Sequence, residues 1–192
     1  RADPLPAALV RSNPVIPGAK DRPAWTQVDH GAALVEEGLI RATGPYAEIS
    51  QAHPHLPVHG TGRQVLLPGF VNGHHHVGLT PLQLGSLDYP LELWFASRLS
   101  ARKVDFYLDT MYSAFEMIES GITTVQHIHG WLPGPAEIWP GITASLLQAY
   151  EDIGMRVSYC FGVRTQNHFV YESNDAFVAK LPPSIAADME AL

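Results

Sequence analysis

The stretch Leu67-Pro68-Gly69-Phe70-Val71-Asn72-Gly73-His74-His75-His76-Val77 decides how this chain is read. Pro68-Gly69 punctuates the chain, and Phe70 to Val77 is a β-compatible run that ends in a histidine cluster. Alternate side chains of a strand point to the same face, with a rise of about 3.3 Å per residue. His74 and His76 are therefore predicted to stand side by side, about 6.6 Å apart at Cα, with both imidazoles able to converge on one ion. His75 is predicted to face the other way. A catalytic zinc usually takes three protein ligands and a water, so further ligands have to come from elsewhere. On spacing alone a second reading stands beside this one: three histidines on a loop, or core histidines satisfied by backbone carbonyls.

Downstream, Phe106 to Ser120 carries apolar residues at Leu108, Met111, Phe115 and Ile118, a helical spacing closed by Gly121. Ile122 to Ile128 reads as a β-branched strand. Ile142, Leu146, Tyr150 and Ile153 mark a second amphipathic helix closed by Gly154, and Arg156 to Val163 a third strand. The order strand, helix, strand, helix, strand supplies the crossovers that parallel strands need, so the region is expected to be α/β. The aromatic and methionine side chains of the helices are read as packing.

A second pair, His127 and His129, closes the middle strand, again on one face. If the strands are parallel neighbours, both pairs lie at carboxyl ends, where the sites of barrels and open α/β sheets are built. The rings are then expected on the pocket side, within reach of substrate; exposed strand-end histidines are the alternative. Gln83 and Asp88 after the first strand, and Arg164-Thr165-Gln166-Asn167-His168 after the third, open on the same side. Gln83, Arg164 and Gln166 join His127 and His129 as candidate substrate contacts.

Upstream, Pro4, Pro6, Pro14, Pro17 and Pro23 leave room for at most an edge strand near Ala8-Leu9-Val10. Ala32–Val35 and Leu39–Ala42 read as two strands joined by a turn at Glu36-Glu37-Gly38, Pro45–Ala52 as one or two helical turns, and Gln64–Leu67 as another strand. Residues 1–67 are thus expected to form part of a small β domain, and residues 68–192 a second unit.

Composition narrows the function classes. A net charge of −7 with no lysine/arginine cluster gives no footprint for nucleic acid. Cys160 is the single cysteine, so no intrachain disulfide forms and no oxidising compartment is needed. No apolar run spans a bilayer and no secretory signal opens the chain, which makes the cytoplasm the expected location. The start at Arg-Ala-Asp-Pro without methionine suggests that sequence precedes it or was removed. Cys-x-x-Cys, His-Glu-x-x-His, P-loop, dinucleotide-fingerprint and nucleophile-elbow motifs are all absent from the sequence.

The stretch from Leu67 to His76 resembles the first barrel strand of the amidohydrolase superfamily, Pro-Gly-(Leu/Phe)-(Val/Ile)-Asn-x-His-x-His. Ser120-Gly121-Ile122-Thr123-Thr124-Val125 resembles its second strand, and Val35-Glu36-Glu37-Gly38-Leu39-Ile40 its amino-terminal β domain. The likeness runs from about Gly31 to Val163 and is similar to the branch of cytosine and guanine deaminases, adenosylhomocysteine deaminase and triazine chlorohydrolases. It implies the N-terminal part of a (β/α)8 TIM-like barrel preceded by part of a small β-sandwich domain. It also implies a divalent metal, Zn2+ or alternatively Fe2+, with His74 and His76 as two ligands. The family's other ligands, two histidines and an aspartate, sit on strands five, six and eight, beyond Leu192, and many relatives carry an acidic residue where His127 stands.

The implied function is hydrolysis of a C–N bond other than a peptide bond, most directly deamination of a nitrogen heterocycle through metal-activated water. Amide or C–Cl hydrolysis is the alternative within the superfamily, and a metal-binding or scaffold fragment without catalysis the rival from another class. The expected partner is a small-molecule substrate, with neither nucleic acid nor membrane, and a homo-oligomer left open. The 192-residue chain alone is expected to be inactive.

Overall fold

The computed structural model describes residues 6–18, 27–77, 85, 89–91, 93–94, 97, 104–130, 135–162 and 172–190, with 188–190 described by backbone alone. The chain divides into two compact units, Arg1–Gly69 and Phe70–Leu192.

The first unit is built on a four-stranded sheet of order β3-β2-β1-β4, from β1 (Ala8–Ser12), β2 (Gly31–Glu36), β3 (Leu39–Pro45) and β4 (Val58–His59). The hairpin of β2 and β3 turns at Glu37-Gly38 as expected, and α1 (Tyr46–Ala52) follows it. Two expectations need correction. β1 is not an edge strand: it pairs antiparallel with β2 and parallel with β4. The prolines flank it without entering it, so every amide from Ala8 to Ser12 can donate, and Leu9 is fully buried. The strand expected at Gln64–Leu67 shrinks to a single bridge between Val15 and Leu66. Pro14, Pro17 and Pro68 withhold the donors that a longer ladder would use.

The second unit is a parallel sheet of order β5-β6-β7: β5 (Phe70–His75), β6 (Ile122–His129) and β7 (Arg156–Phe161). Helix α2 (Phe106–Glu119) connects β5 to β6, and α3 (Trp139–Ile153), entered through a short 3-10 turn, connects β6 to β7. α4 (Asn174–Val178) and α5 (Pro183–Glu190) follow. The Asp105 side chain starts α2 by accepting from the Leu108 amide at 2.9 Å. Each helix gives way to its strand at a left-handed glycine, Gly121 (φ 81°) and Gly154 (φ 75°), a backbone that L side chains adopt only with strain.

The core of this unit gathers Ala114 and Met117 of α2, Val125 of β6, Leu146 and Tyr150 of α3, and Met155, with Val157 and Tyr159 of β7 packed against it. α2 does not pack on the face its large apolar residues mark. Leu108, Phe115 and Ile118 are exposed at 63%, 56% and 43%, whereas Asp109, Thr110, Ser113, Ala114 and Met117 are buried. The smaller side chains of that face let the backbone come close, and the larger ones are left outward. Among the described residues no helix is long and apolar enough to cross a membrane.

Candidate metal centre

The carboxyl end of β5 is not a regular strand. β5 and β6 pair at Asn72↔Val125 and next at His75↔His127, three steps along β5 against two along β6. β5 therefore carries one extra residue around Gly73-His74, a bulge of a kind uncommon between parallel strands. An opposite shift lies just before it, between Phe70↔Ile122 and Val71↔Thr124, where β6 holds the extra residue.

Beyond the bulge, His74 and His76 converge as the spacing predicts. Their Nε2 atoms are 3.0 Å apart and their rings meet edge to face with centroids at 4.8 Å. Two nitrogens bound to one zinc at about 2.0–2.1 Å lie roughly 3.0–3.4 Å apart, so the pair fits a shared ion with almost no rearrangement. His76 is held from behind. Its Nδ1 is 2.6 Å from the Ile128 carbonyl oxygen, which can only accept, so the proton sits on Nδ1 and the Nε2 lone pair is left towards His74. A histidine that ligates a metal is commonly fixed in this way.

His75 faces the other side of the strand, and its ring lies against that of His127, with centroids 6.2 Å apart. The expectation that His127 and His129 share the face of His74 and His76 is not met, although β5 and β6 are parallel neighbours as foreseen. Alternation along β6 places both with Val125, on the side covered by the helices. His127 is fully buried, with Nδ1 3.1 Å from the Tyr150 hydroxyl of α3. His129 Nδ1 is 3.0 Å from the Tyr159 hydroxyl, itself 3.3 Å from the Thr143 hydroxyl. Direct substrate contact is not what this placement offers; the two rings brace the strand end from behind.

Burial sets the electrostatics of that layer. Desolvation, followed by the neighbouring His129, His75 and His76, lowers the His127 pKa to about 3. His75 is lowered for the same first reason, then by His76 and His74. Burial, with the charge of Asp109 nearby, raises the Tyr150 phenol. At neutral pH the layer behind the sheet is thus uncharged at His75, His127 and Tyr150. The Nε2 atoms of His75 and His127 are buried and reach no hydrogen-bond partner among the described residues.

Gln83, Arg164 and Gln166, like Asp88, Asn167 and His168, lie outside the described residues. Among the described residues no group of three or more His, Cys, Asp or Glu side chains could hold a metal ion, so the candidate centre there is the pair His74 and His76. Two features went unread in the sequence. Gln126, which alternates to the side away from His127, donates to Cys160 Sγ at 3.3 Å across to β7; the position midway between two buried neighbours was its only signal. Asn72 accepts from the His74 amide at 3.1 Å and was visible as a motif residue without a role.

Residues 65–189 match the sequence model of the Amidohydrolase family. A 5-methylthioadenosine/S-adenosylhomocysteine deaminase of Thermodesulfovibrio yellowstonii is 27% identical over 144 residues, 71% of this chain and 30% of that protein. Among solved structures, an atrazine chlorohydrolase from Arthrobacter aurescens complexed with zinc superposes with a TM-score of 0.63 at 20% identity, over 90% of this chain and 41% of that one. An adenosine deaminase from Xanthomonas campestris with bound zinc gives a TM-score of 0.58 at 23% identity, over 80% of this chain and 34% of that one. The chain spans less than half the length of each of these proteins.

Proposed function

The chain belongs to the amidohydrolase family, and from that premise we propose that it is the amino-terminal part of a metal-dependent hydrolase of C–N bonds other than peptide bonds. The reaction is deamination of a nitrogen heterocycle: water adds its oxygen to the ring carbon, one of its protons passes to the amino nitrogen, the C–N bond breaks, and ammonia leaves while the oxygen stays on the ring. The observation that carries this reading is the 3.0 Å approach of the His74 and His76 Nε2 atoms, with the His76 tautomer fixed by Ile128.

His74 and His76 offer two lone pairs on the open face of β5. When bound there, a divalent ion, zinc or alternatively iron, supplies a Lewis acid and a water acidic enough to lose a proton near neutral pH. Ile128 keeps His76 from rotating away, and Tyr150 and Tyr159 hold His127 and His129 behind the strand end. The substrate is a small molecule. The amino group of an aminopurine nucleoside is the first to test, because the relative in Thermodesulfovibrio yellowstonii is named for two such compounds. The proposed location is the cytoplasm, in keeping with a single cysteine and hence no disulfide within these 192 residues.

For the fold, β5, β6 and β7 are read as the first three strands of an eight-stranded barrel, and residues 1–67 as part of a small β domain. The parallel order with helical crossovers supports this. So do the outer edges of β5 and β7, unpaired among the described residues, and the uncovered apolar stripe of α2.

The test is metal content and ammonia release. The full-length protein that contains this chain is dialysed against zinc and assayed beside its H74A, H76A and double variants. Loss of metal in each variant, with turnover falling in proportion, is expected. Metal retained in full by the double variant would refute the reading.

A further inference from the structure

We infer that Asn72 is a positioning residue: its carboxamide locks the β5 bulge and holds the backbone of His74 so that the ring meets His76. The inference rests on the reading of His74 and His76 as metal ligands.

The register supplies the first half of the argument. In an unbroken strand Asn72, His74 and His76 would all point to one face. Asn72 instead points into the helix-covered core, where its Nδ2 donates to Met117 Sδ at 3.8 Å. The β5 bulge makes this possible: the extra residue around Gly73-His74 reverses the alternation between Asn72 and His74. The opposite shift lies on β6 and only restores the count, five steps from Phe70 to His75 and five from Ile122 to His127. The consequence is local. The face carrying His74 and His76 loses the side chain that would otherwise stand one pleat before His74, and the open approach to the pair is kept.

The second half is what fixes the turned segment. Asn72 Oδ1 accepts from the His74 amide at 3.1 Å, two residues on, the Asx turn in which a side chain replaces a ladder partner. Gly73, between them, is not the cause. It lies outside the left-handed region, and a Cβ built on it would meet nothing within 4 Å. Met117 orients the carboxamide from below, so that one oxygen faces the amide. The same peptide group carries the His74 side chain, and a shift there moves its imidazole relative to His76, which Ile128 holds independently.

The experiment compares N72A, N72D, N72S and G73A in the full-length protein that contains this chain. The first readout is Co2+ affinity by competition with a chromogenic chelator. The second is the imidazole nitrogen spectrum of the metal-free protein, which reports whether the His74 and His76 rings meet. N72A is expected to bind metal roughly tenfold or more weakly, as when a group supporting a ligand is removed. N72D keeps the acceptor and G73A the carboxamide, so both stay within about threefold of wild type. N72S, whose hydroxyl holds the amide more weakly, falls between and substitutes for N72A should that variant not fold. N72A or N72S binding as tightly as wild type would overturn the inference, and so would equal losses in N72A and N72D. If the wild type binds no metal, the ligand reading fails and the metal-free spectra decide. Rings that separate in N72A and still meet in N72D uphold the positioning role, and rings that meet in both variants refute it.

Discussion

Acid should destabilise this chain through His127, and by an amount the structure sets. His127 is fully buried between β6 and α3, and burial lowers its pKa to about 3 from an ordinary value of 6.5. The unfolded chain takes up a proton at this position near 6.5, whereas the folded chain refuses it until about 3. Above the unfolded value the contribution of His127 to stability is fully present. It is lost as pH falls from about 6.5 towards 3, because protons then favour the unfolded state. At about pH 4.5 the unfolded imidazole is two units below its pKa and the folded one still neutral, so at 1.36 kcal/mol per unit the loss is roughly 2.5–3 kcal/mol. The figure depends little on where below pH 4 the folded value lies.

Urea unfolding followed by far-UV circular dichroism, in the presence of a chelator, measures it. Wild type and H127Q are each compared at about pH 7 and about pH 4.5. H127Q has its own cost at neutral pH, because the Tyr150 hydroxyl meets a different partner. That cost cancels in the difference between the two pH values, as do the carboxylates both proteins share. Wild type should lose about 2.5 kcal/mol more than H127Q over the interval. Equal losses, within about 0.5 kcal/mol, would show that His127 is not held neutral by burial.

Two further outcomes follow from the same packing. Y150F removes the hydroxyl 3.1 Å from His127 Nδ1 and leaves a second buried nitrogen on that ring without a partner, which should cost about 1–3 kcal/mol in urea unfolding. Its metal content should be unchanged, because Tyr150 lies behind the sheet; metal loss in Y150F would argue that the two faces are coupled. F115E places a charge on the uncovered stripe of α2, where Phe115 is 56% exposed. Its stability should stay within about 0.5 kcal/mol and its light scattering on standing should fall; a loss above about 2 kcal/mol would mean that Phe115 is packed.

The element order of the second unit was legible because each signal there is local. The switch from period two to period 3.6 and back marks β5, α2, β6, α3 and β7, and Gly121 and Gly154 punctuate it. What escaped depends on pairing over distance. β1 lies inside its sheet because β4, some fifty residues on, adds to its far side, and proline counts around β1 say nothing about that. The packing face of α2 escaped for another reason. Large apolar residues mark a stripe in the sequence, but Thr110, Ser113 and Ala114 decide how near a neighbour can come. At the site, the convergence of His74 and His76 was legible from their spacing. The side taken by His127 and His129 was not, because it follows from the register that sets His127 opposite His75, and a pairing between two strands leaves no trace in the residue pattern of either.

The placement of those two histidines bears on the proposed metal centre even though they do not face it. A ligand histidine must be neutral to bind an ion, and a protonated imidazole close behind the strand would repel the cation in front of it with little water between to screen the charge. Burial prevents this at His127 and, through the same desolvation, at His75, the residue between the two proposed ligands. A lysine or arginine at either position would stay charged or force the core open, whereas histidine fills the space, bonds Tyr150 at position 127 and remains neutral. Imidazoles on both faces of one strand end therefore serve unlike purposes: the open pair presents lone pairs, and the covered layer fills the space behind them without adding positive charge.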